Sequence, residues 1–184
     1  MRKPSVNLAT LLQNLGRAST PQVNQSGFGL SLLKLLRGSA SPSVEGGVLF
    51  VGSRQLYKRL IEEGFPVTWA VPGGAVEQAE STLIESMVIE SSAFDQGPWL
   101  YADAGSRRYL AEELFEAGRR LRARGAIVFY LPEHARPTGV DEPYIMSTST
   151  VNLALIPVED LEEEAPQSRL WNTLTGHVSK RRKK

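Results

Sequence analysis

Short apolar runs that do not alternate with polar residues are the feature of this chain that most limits its fold. The first is Val48-Leu49-Phe50-Val51. A strand built from it presents apolar groups on both faces, so both faces need cover, as in parallel sheets flanked by helices. Gly52-Ser53 then permits a tight turn, with Ser53 placed to cap a following helix. The pattern recurs. Residues 67–71 read as a second strand, closed by Pro72-Gly73-Gly74. Trp99-Leu100-Tyr101-Ala102 reads as a buried strand followed by a turn at Asp103-Ala104-Gly105. Residues 126–131 read as another strand, and 151–156 as the best one in the C-terminal part. Helical patterns lie between them. Residues 54–63 place Leu56 and Leu60 on one face before Gly64, and residues 75–90 place Val76, Ala79, Leu83 and Met87 inward. Residues 106–124 carry Leu110, Leu114, Ala117 and Leu121 on a single face. Strands alternating with helices predict an α/β domain over residues 46–158. Its expected form is three-layer and Rossmann-like, a mainly parallel sheet with helices on both faces.

The flanks differ in texture. Residues 1–45 read as an N-terminal arm, partly helical or flexible, with Leu8, Leu11, Leu12 and Leu15, and later Leu30, Leu33 and Leu36, at helical spacing. The arm either packs on the domain or docks a protein partner. Residues 159–184 form an acidic segment and a basic C-terminal tail. Five acids fall within residues 159–164, and the chain ends Lys180-Arg181-Arg182-Lys183-Lys184.

Charge and composition narrow the function classes. A formal net charge of +1 over 184 residues leaves any contact with a polyanion to a local patch. There are no cysteines, which excludes disulfides, thiolate zinc sites and cysteine nucleophiles. The two histidines, His134 and His177, fall in expected loop and tail regions and are poor material for a metal site. No apolar run approaches the roughly 20 residues that span a bilayer. Met1-Arg2-Lys3-Pro4 is followed by no apolar core of a signal peptide, so a cytoplasmic chain without membrane contact is expected.

Ligands of open α/β sheets bind beyond the carboxyl ends of the strands. The expected ends are Gly52-Ser53, Pro72-Gly73-Gly74, Asp103-Ala104-Gly105 and Pro132-Glu133-His134. Gly52, Ser53, Gly73, Gly74, Asp103 and Gly105 are therefore the possible ligand-binding residues. A P-loop needs a glycine-rich turn followed by Lys and Ser or Thr, and Gly52-Ser53-Arg54-Gln55 supplies neither. The three spaced glycines of a dinucleotide fingerprint are also missing. Residues 99–103 have the form of a magnesium-coordinating Walker B strand, although a carboxylate at that place equally caps the next turn. Ser147, Thr148, Ser149 and Thr150 have no histidine placed to complete a triad. Glu77 with Glu80, and Glu112 with Glu116, read as solvated helix faces. No catalytic residue, metal or cofactor is expected. The cations around residues 106–124, Arg107 and Arg108 foremost, either contact phosphates or pair with glutamates at helical spacing. Lys180, Arg181, Arg182, Lys183 and Lys184 form an arm suited to nucleic acid or an acidic partner.

Two stretches resemble the Toprim domain of primases and topoisomerases. Residues 64–73, from Gly64-Phe65-Pro66 through Trp69-Ala70-Val71-Pro72-Gly73, resemble its second strand with the flanking glycines. Ala104-Gly105, Arg107-Arg108, the following helix and Tyr130-Leu131-Pro132 resemble its third unit. The resemblance covers about residues 47–137. It implies a glutamate ending the first strand and two aspartates ending the third, carboxylates that hold magnesium. Val51 stands at the glutamate's position, and Leu100 and Ala102 stand at the aspartates' positions, leaving Asp103 alone. One carboxylate is too few for an oxygen-rich magnesium site. The resemblance thus implies a degenerate, inactive member, with Asp103 a turn or helix cap. A RecA-like core without its P-loop is the second resemblance, carried by the 99–103 run, the 126–131 and 151–156 strands and the basic end.

The expected function is a non-catalytic accessory or structural factor in a nucleic-acid-handling assembly of replication or recombination type, binding without sequence readout. One alternative is an enzyme holding a nucleotide or phosphate ligand in the loops around Asp103. The other is a structural subunit docking through residues 1–45.

Overall fold

The computed structural model describes residues 46–133, 137–156 and 168–182. The N-terminal arm, His134, the acidic run 159–164, Lys183 and Lys184 lie outside the described residues. Five strands form one sheet: β1 (Gly47–Val51), β2 (Val67–Trp69), β3 (Ile84–Glu90), β4 (Ile127–Leu131) and β5 (Val151–Asn152). Their order is β2-β1-β3-β4-β5, and every neighbouring pair is parallel. β1 lies between β2 and β3, with Phe50 opposite Trp69 on one side and Val88 on the other.

The pleat sorts the apolar runs onto two faces. Val48, Phe50, Val88, Phe129 and Leu131 face a layer built by helices α1 (Arg54–Glu62) and α5 (Arg169–Arg182). Leu49, Val51, Met87, Ile89, Val128 and Tyr130 face the other layer, built by α2 (Ala75–Glu80), α3 (Arg108–Ala123) and α4 (Glu142–Met146). The three-layer α/β arrangement read from the sequence is therefore present, with an all-parallel sheet.

Two elements differ from the sequence reading. The helix expected over 75–90 is a short helix, α2, followed by the central strand β3. Val76, Ala79, Leu83 and Met87 have helical spacing, yet the guanidinium of Arg124 bonds the carbonyls of Ala79, Glu80 and Ser81 and ends the helix there. Beyond that point Met87-Val88-Ile89 is sandwiched between β1 and β4 with both faces buried, and tertiary burial decides in favour of strand. Leu83, expected inward, is exposed. The strand expected at 99–102 is a succession of turns. Its apolar character has another cause: Trp99 is a buried plug whose indole Nε1–H donates to the carbonyl of Ala70 at 3.0 Å. Leu100 and Ala102, the positions the Toprim resemblance sets on a third strand, lie in these turns. The strand expected over 151–156 is confined to Val151–Asn152.

The sequence reading closed the domain at residue 158, whereas α5 adds Leu170, Leu174 and Val178 to the core against Leu56 and Leu60 of α1. Lys180, Arg181 and Arg182, expected in a mobile tail, form the last turn of this helix.

Leu174 is fully buried in that layer. Leu174→Ala is expected to lower the free energy of unfolding by about 2–5 kcal/mol, the range for a buried leucine truncated to alanine. Urea denaturation measures it; a loss below about 0.5 kcal/mol, the size of a surface substitution, would mean that α5 is no part of the folded core.

Candidate functional site

In an open parallel sheet the place to look for a ligand is the carboxyl edge, above all where the strand order changes direction. Here that point lies between β1 and β3. The acid that ends a central strand there is Glu90, not Asp103. Glu90 is buried. Its Oε2 accepts the backbone N–H of Ser53 at 2.6 Å, at the start of α1. Its Oε1 lies 3.0 Å from Nε2 of His177, which reaches in from α5 and is also buried. Ser53 caps α1 as expected, its hydroxyl accepting the N–H of Leu56 at 3.3 Å. Gly52 is needed between them, because a Cβ at that position would run into the Phe50 ring and the Glu90 carboxylate.

The end of β2 is closed in the same way. Gly73, with φ of +83°, turns its N–H toward Glu113 of α3. The two oxygens of Glu113 accept the N–H groups of Gly73 and Ala75 at 2.9 and 2.8 Å. Gln78 completes the turn, accepting the N–H of Val71 and donating to the carbonyl of Trp69, both at 2.9 Å. Gly74 starts α2 and donates its own N–H to the Val71 carbonyl. At the end of β4, the N–H of Glu133 donates to the Ser91 hydroxyl at 2.6 Å.

Asp103 sits between turns rather than at a strand end. It is buried, its carboxylate rests against Gly139 where a side chain would not fit, and its carbonyl accepts the N–H of Asp141 at 2.8 Å. Gly105, φ +69°, completes that loop. Glu142 is held by the Tyr130 hydroxyl, which donates to Oε1, and by the N–H of Gly139 at 3.0 Å. Among the described residues no group of three or more His, Asp or Glu is placed to hold a metal ion. A groove of about 670 Å³ runs along the edge strand β5, and the side chains lining it, among them Met146, Leu155 and Trp171, include no charged group.

The cations of α3 divide clearly. Arg108 pairs with Glu112 at 3.1 Å, approaches Asp141 at 3.9 Å and lies over the Tyr144 ring. Arg119 and Arg120 pair with Glu116, and Arg120 also with Glu80. The hydrogen bond from Arg119 holds the Glu116 carboxyl below the usual carboxylate range. Arg122 donates to the carbonyls of Ser147 and Thr148, and Arg124 bonds the end of α2. Arg107 is exposed, its guanidinium 3.4 Å from the carbonyl of Leu100. The sequence left two readings open for this helix, and these contacts favour glutamate pairing and carbonyl capping from Arg108 onward.

The structure thus gathers Gly52 and Ser53 around Glu90, and Gly73 and Gly74 around Glu113, while Asp103 and Gly105 stand in a separate loop. Glu90, Glu113 and His177 escaped the sequence reading. His177, expected in a tail, is on a core helix. The apolar triplet 87–89 closing on an acid was the signal available for Glu90, and the helical spacing of the same residues masked it.

Comparisons with protein-family models, with curated proteins and with solved structures found no match. The fold and the site define an all-parallel, doubly wound α/β domain whose two best-placed strand-end turns are occupied by its own carboxylates. No helix among the described residues is long and apolar enough to cross a membrane.

Removing one partner of a buried side-chain hydrogen bond costs about 1–3 kcal/mol, because the other group loses that bond. Glu90→Ala and His177→Ala are each expected to destabilise on that scale. The double variant should cost clearly less than the sum. Glu90→Gln keeps an acceptor for Ser53 N–H and should cost less than Glu90→Ala. Chemical denaturation of the four variants decides; strictly additive losses would show that the two side chains do not act together.

Proposed function

We propose that this chain is a non-catalytic accessory factor of a nucleic-acid-handling assembly, built on a closed α/β domain. The observation that carries the non-catalytic half is the occupation of the strand-end amides. In phosphate-binding α/β proteins the N–H groups after β1 and β2 are where an anion settles, at the positive ends of the following helices. Here the Ser53 amide is taken by Glu90 and the Gly73 and Ala75 amides by Glu113. A nucleotide phosphate would have to displace a carboxylate at either turn, and at the first it would also have to leave Glu90 facing His177 in a buried site. This counts against the alternative of a nucleotide- or phosphate-binding enzyme around Asp103, whose carboxylate is itself buried against Gly139.

The nucleic-acid half rests on charge placement. The cations of α3 from Arg108 onward are committed to the chain's own glutamates and carbonyls. The run from Lys180 to Lys184 gathers five cations at the end of the chain. Such a cluster exchanges counterions with phosphates and reads no sequence. A protein partner through residues 1–45 is compatible with this role.

Fluorescence anisotropy with labelled DNA and RNA tests the proposal. Binding is expected at about 50 mM salt and should weaken steeply as salt rises, with a log–log slope of about −0.7 to −0.9 per neutralised phosphate. Replacing residues 180–184 by alanine should flatten that slope; an unchanged slope would remove the basic run from the reading. ATP or GTP with magnesium should leave the melting temperature unchanged, and a rise abolished by Asp103→Asn would establish the enzyme reading instead.

A further inference from the structure

One part of the carboxyl edge is not closed. Three loops there are stitched into one rim. The indole of Trp99 bonds the end of β2 at Ala70, Glu113 of α3 bonds Gly73, and Asp141 donates its N–H to Asp103. Four large apolar or aromatic residues on these loops are exposed: Val71 on the first, Tyr101 and Tyr109 on the second and the α3 turn that ends it, and Val140 on the third. Tyr101 is 53% exposed and Tyr109 63% exposed. Arg107 and Arg108 lie between the two tyrosines in the chain, all four exposed. The Arg107 guanidinium reaches the carbonyl of Leu100, the residue next to Tyr101.

Tyr101 also carries a backbone cost. Its φ is +62°, and it is the one non-glycine residue with positive φ among the described residues. An L-residue pays about 1–2 kcal/mol for that conformation, and glycine does not. The turn is well bonded, with Tyr101 N–H on the Phe94 carbonyl and Ala104 N–H on the Tyr101 carbonyl. A glycine would make both bonds. Just over half of the residue's surface is open to solvent. A positive φ at a residue this exposed marks the position as one where a surface role can be tested.

We propose that Tyr101 and Tyr109, with Arg107 between them in the chain, form a stacking platform for single-stranded nucleic acid. The proposal rests on the nucleic-acid reading above and names the form of polymer and the surface that holds it. Exposed aromatic rings stack on unpaired bases, and interleaved cations hold the phosphates. A duplex keeps its bases stacked inside and offers the rings nothing. The basic end of α5 then supplies affinity for any polyanion, and the rim supplies the preference for single strands.

The test compares a labelled oligothymidine with a duplex of equal length, using the full-length protein. The double variant Tyr101→Ala, Tyr109→Ala is expected to bind the single strand about tenfold or more weakly, the scale for lost base stacking. Its salt slope and its affinity for duplex should stay as they are. Tyr101→Phe with Tyr109→Phe should restore single-strand binding, because the ring and not the hydroxyl is used. Tyr101→Gly should weaken single-strand binding while melting no lower than the parent, since it relieves the positive φ. A clear fall in its melting temperature would make Tyr101 a structural residue and overturn the platform. Unchanged single-strand affinity in the double alanine variant would overturn it as well and turn the rim into a surface for a protein. Equal losses on single strand and duplex would also overturn it. If the parent protein binds neither polymer, the functional reading fails, and the platform fails with it.

Discussion

The contact on which the rest of the molecule depends is the buried carboxylate of Glu90. A charge in the interior is tolerated only with partners that replace its water. Glu90 has the amide of Ser53 on one oxygen and the ring of His177 on the other. That arrangement ties the end of β3 to the start of α1 and to α5, three elements far apart in the chain. It also fixes what Gly52 must be, because any side chain there would meet the carboxylate. The C-terminal helix is consequently more than a cover for the apolar face of Phe50, Phe129 and Leu131. It also carries His177, whose ring lies 3.0 Å from one oxygen of Glu90.

Helix α3 repeats the strategy on the opposite layer. Its apolar stripe, Leu110, Leu114, Ala117 and Leu121, lies on the sheet. Its polar residues then act as clamps. Glu113 holds the amides after β2, Arg124 bonds the carbonyls that end α2, and Arg122 bonds the carbonyls after α4. The charges of this helix are spent on orphan backbone groups of its neighbours, the groups that helix ends and turns leave without partners. The consequence for function is direct. An amide satisfied by an internal carboxylate is no longer an open donor for a phosphate, so the stabilising device and the closed crevice are one and the same.

The layer architecture was legible because it depends on burial periodicity. Val48–Val51 and residues 127–131 are apolar on both faces, and only a covered parallel sheet accommodates that. Residues 75–90 were misleading because Val76, Ala79, Leu83 and Met87 satisfy a helical period by coincidence, and the true boundary is drawn by Arg124, 43 residues beyond Ser81 in the chain. Trp99 misled for a related reason: an apolar run looks the same whether it forms a strand or plugs the end of one. The candidate site was less legible still. Glycines at strand ends mark where the backbone turns, and Gly52, Gly73 and Gly105 were found that way. Whether the amides so exposed are open or occupied is set by side chains 37 to 40 residues away, Glu90 and Glu113, and no local pattern encodes that pairing. His177 is the extreme case, placed against Glu90 across 87 residues.

The distribution of strain supports the same division between a closed crevice and an open rim. Where positive φ is required by a turn alone, the chain uses glycine: Gly64, Gly73, Gly97, Gly105 and Gly125. Tyr101 departs from that rule four residues after Gly97 and four before Gly105, in a loop that already contains both. Glycine would adopt this φ without the backbone cost, whereas the tyrosine carries that cost with 53% of its surface exposed. Backbone strain at a half-exposed side chain is a reason to look for a surface role there. The crevice between β1 and β3 shows the opposite economy, with every polar atom of Glu90 engaged and no surface offered. A ligand-binding role for this fold is therefore to be sought on the loops that face outward, not at the strand ends that the sheet topology would ordinarily favour.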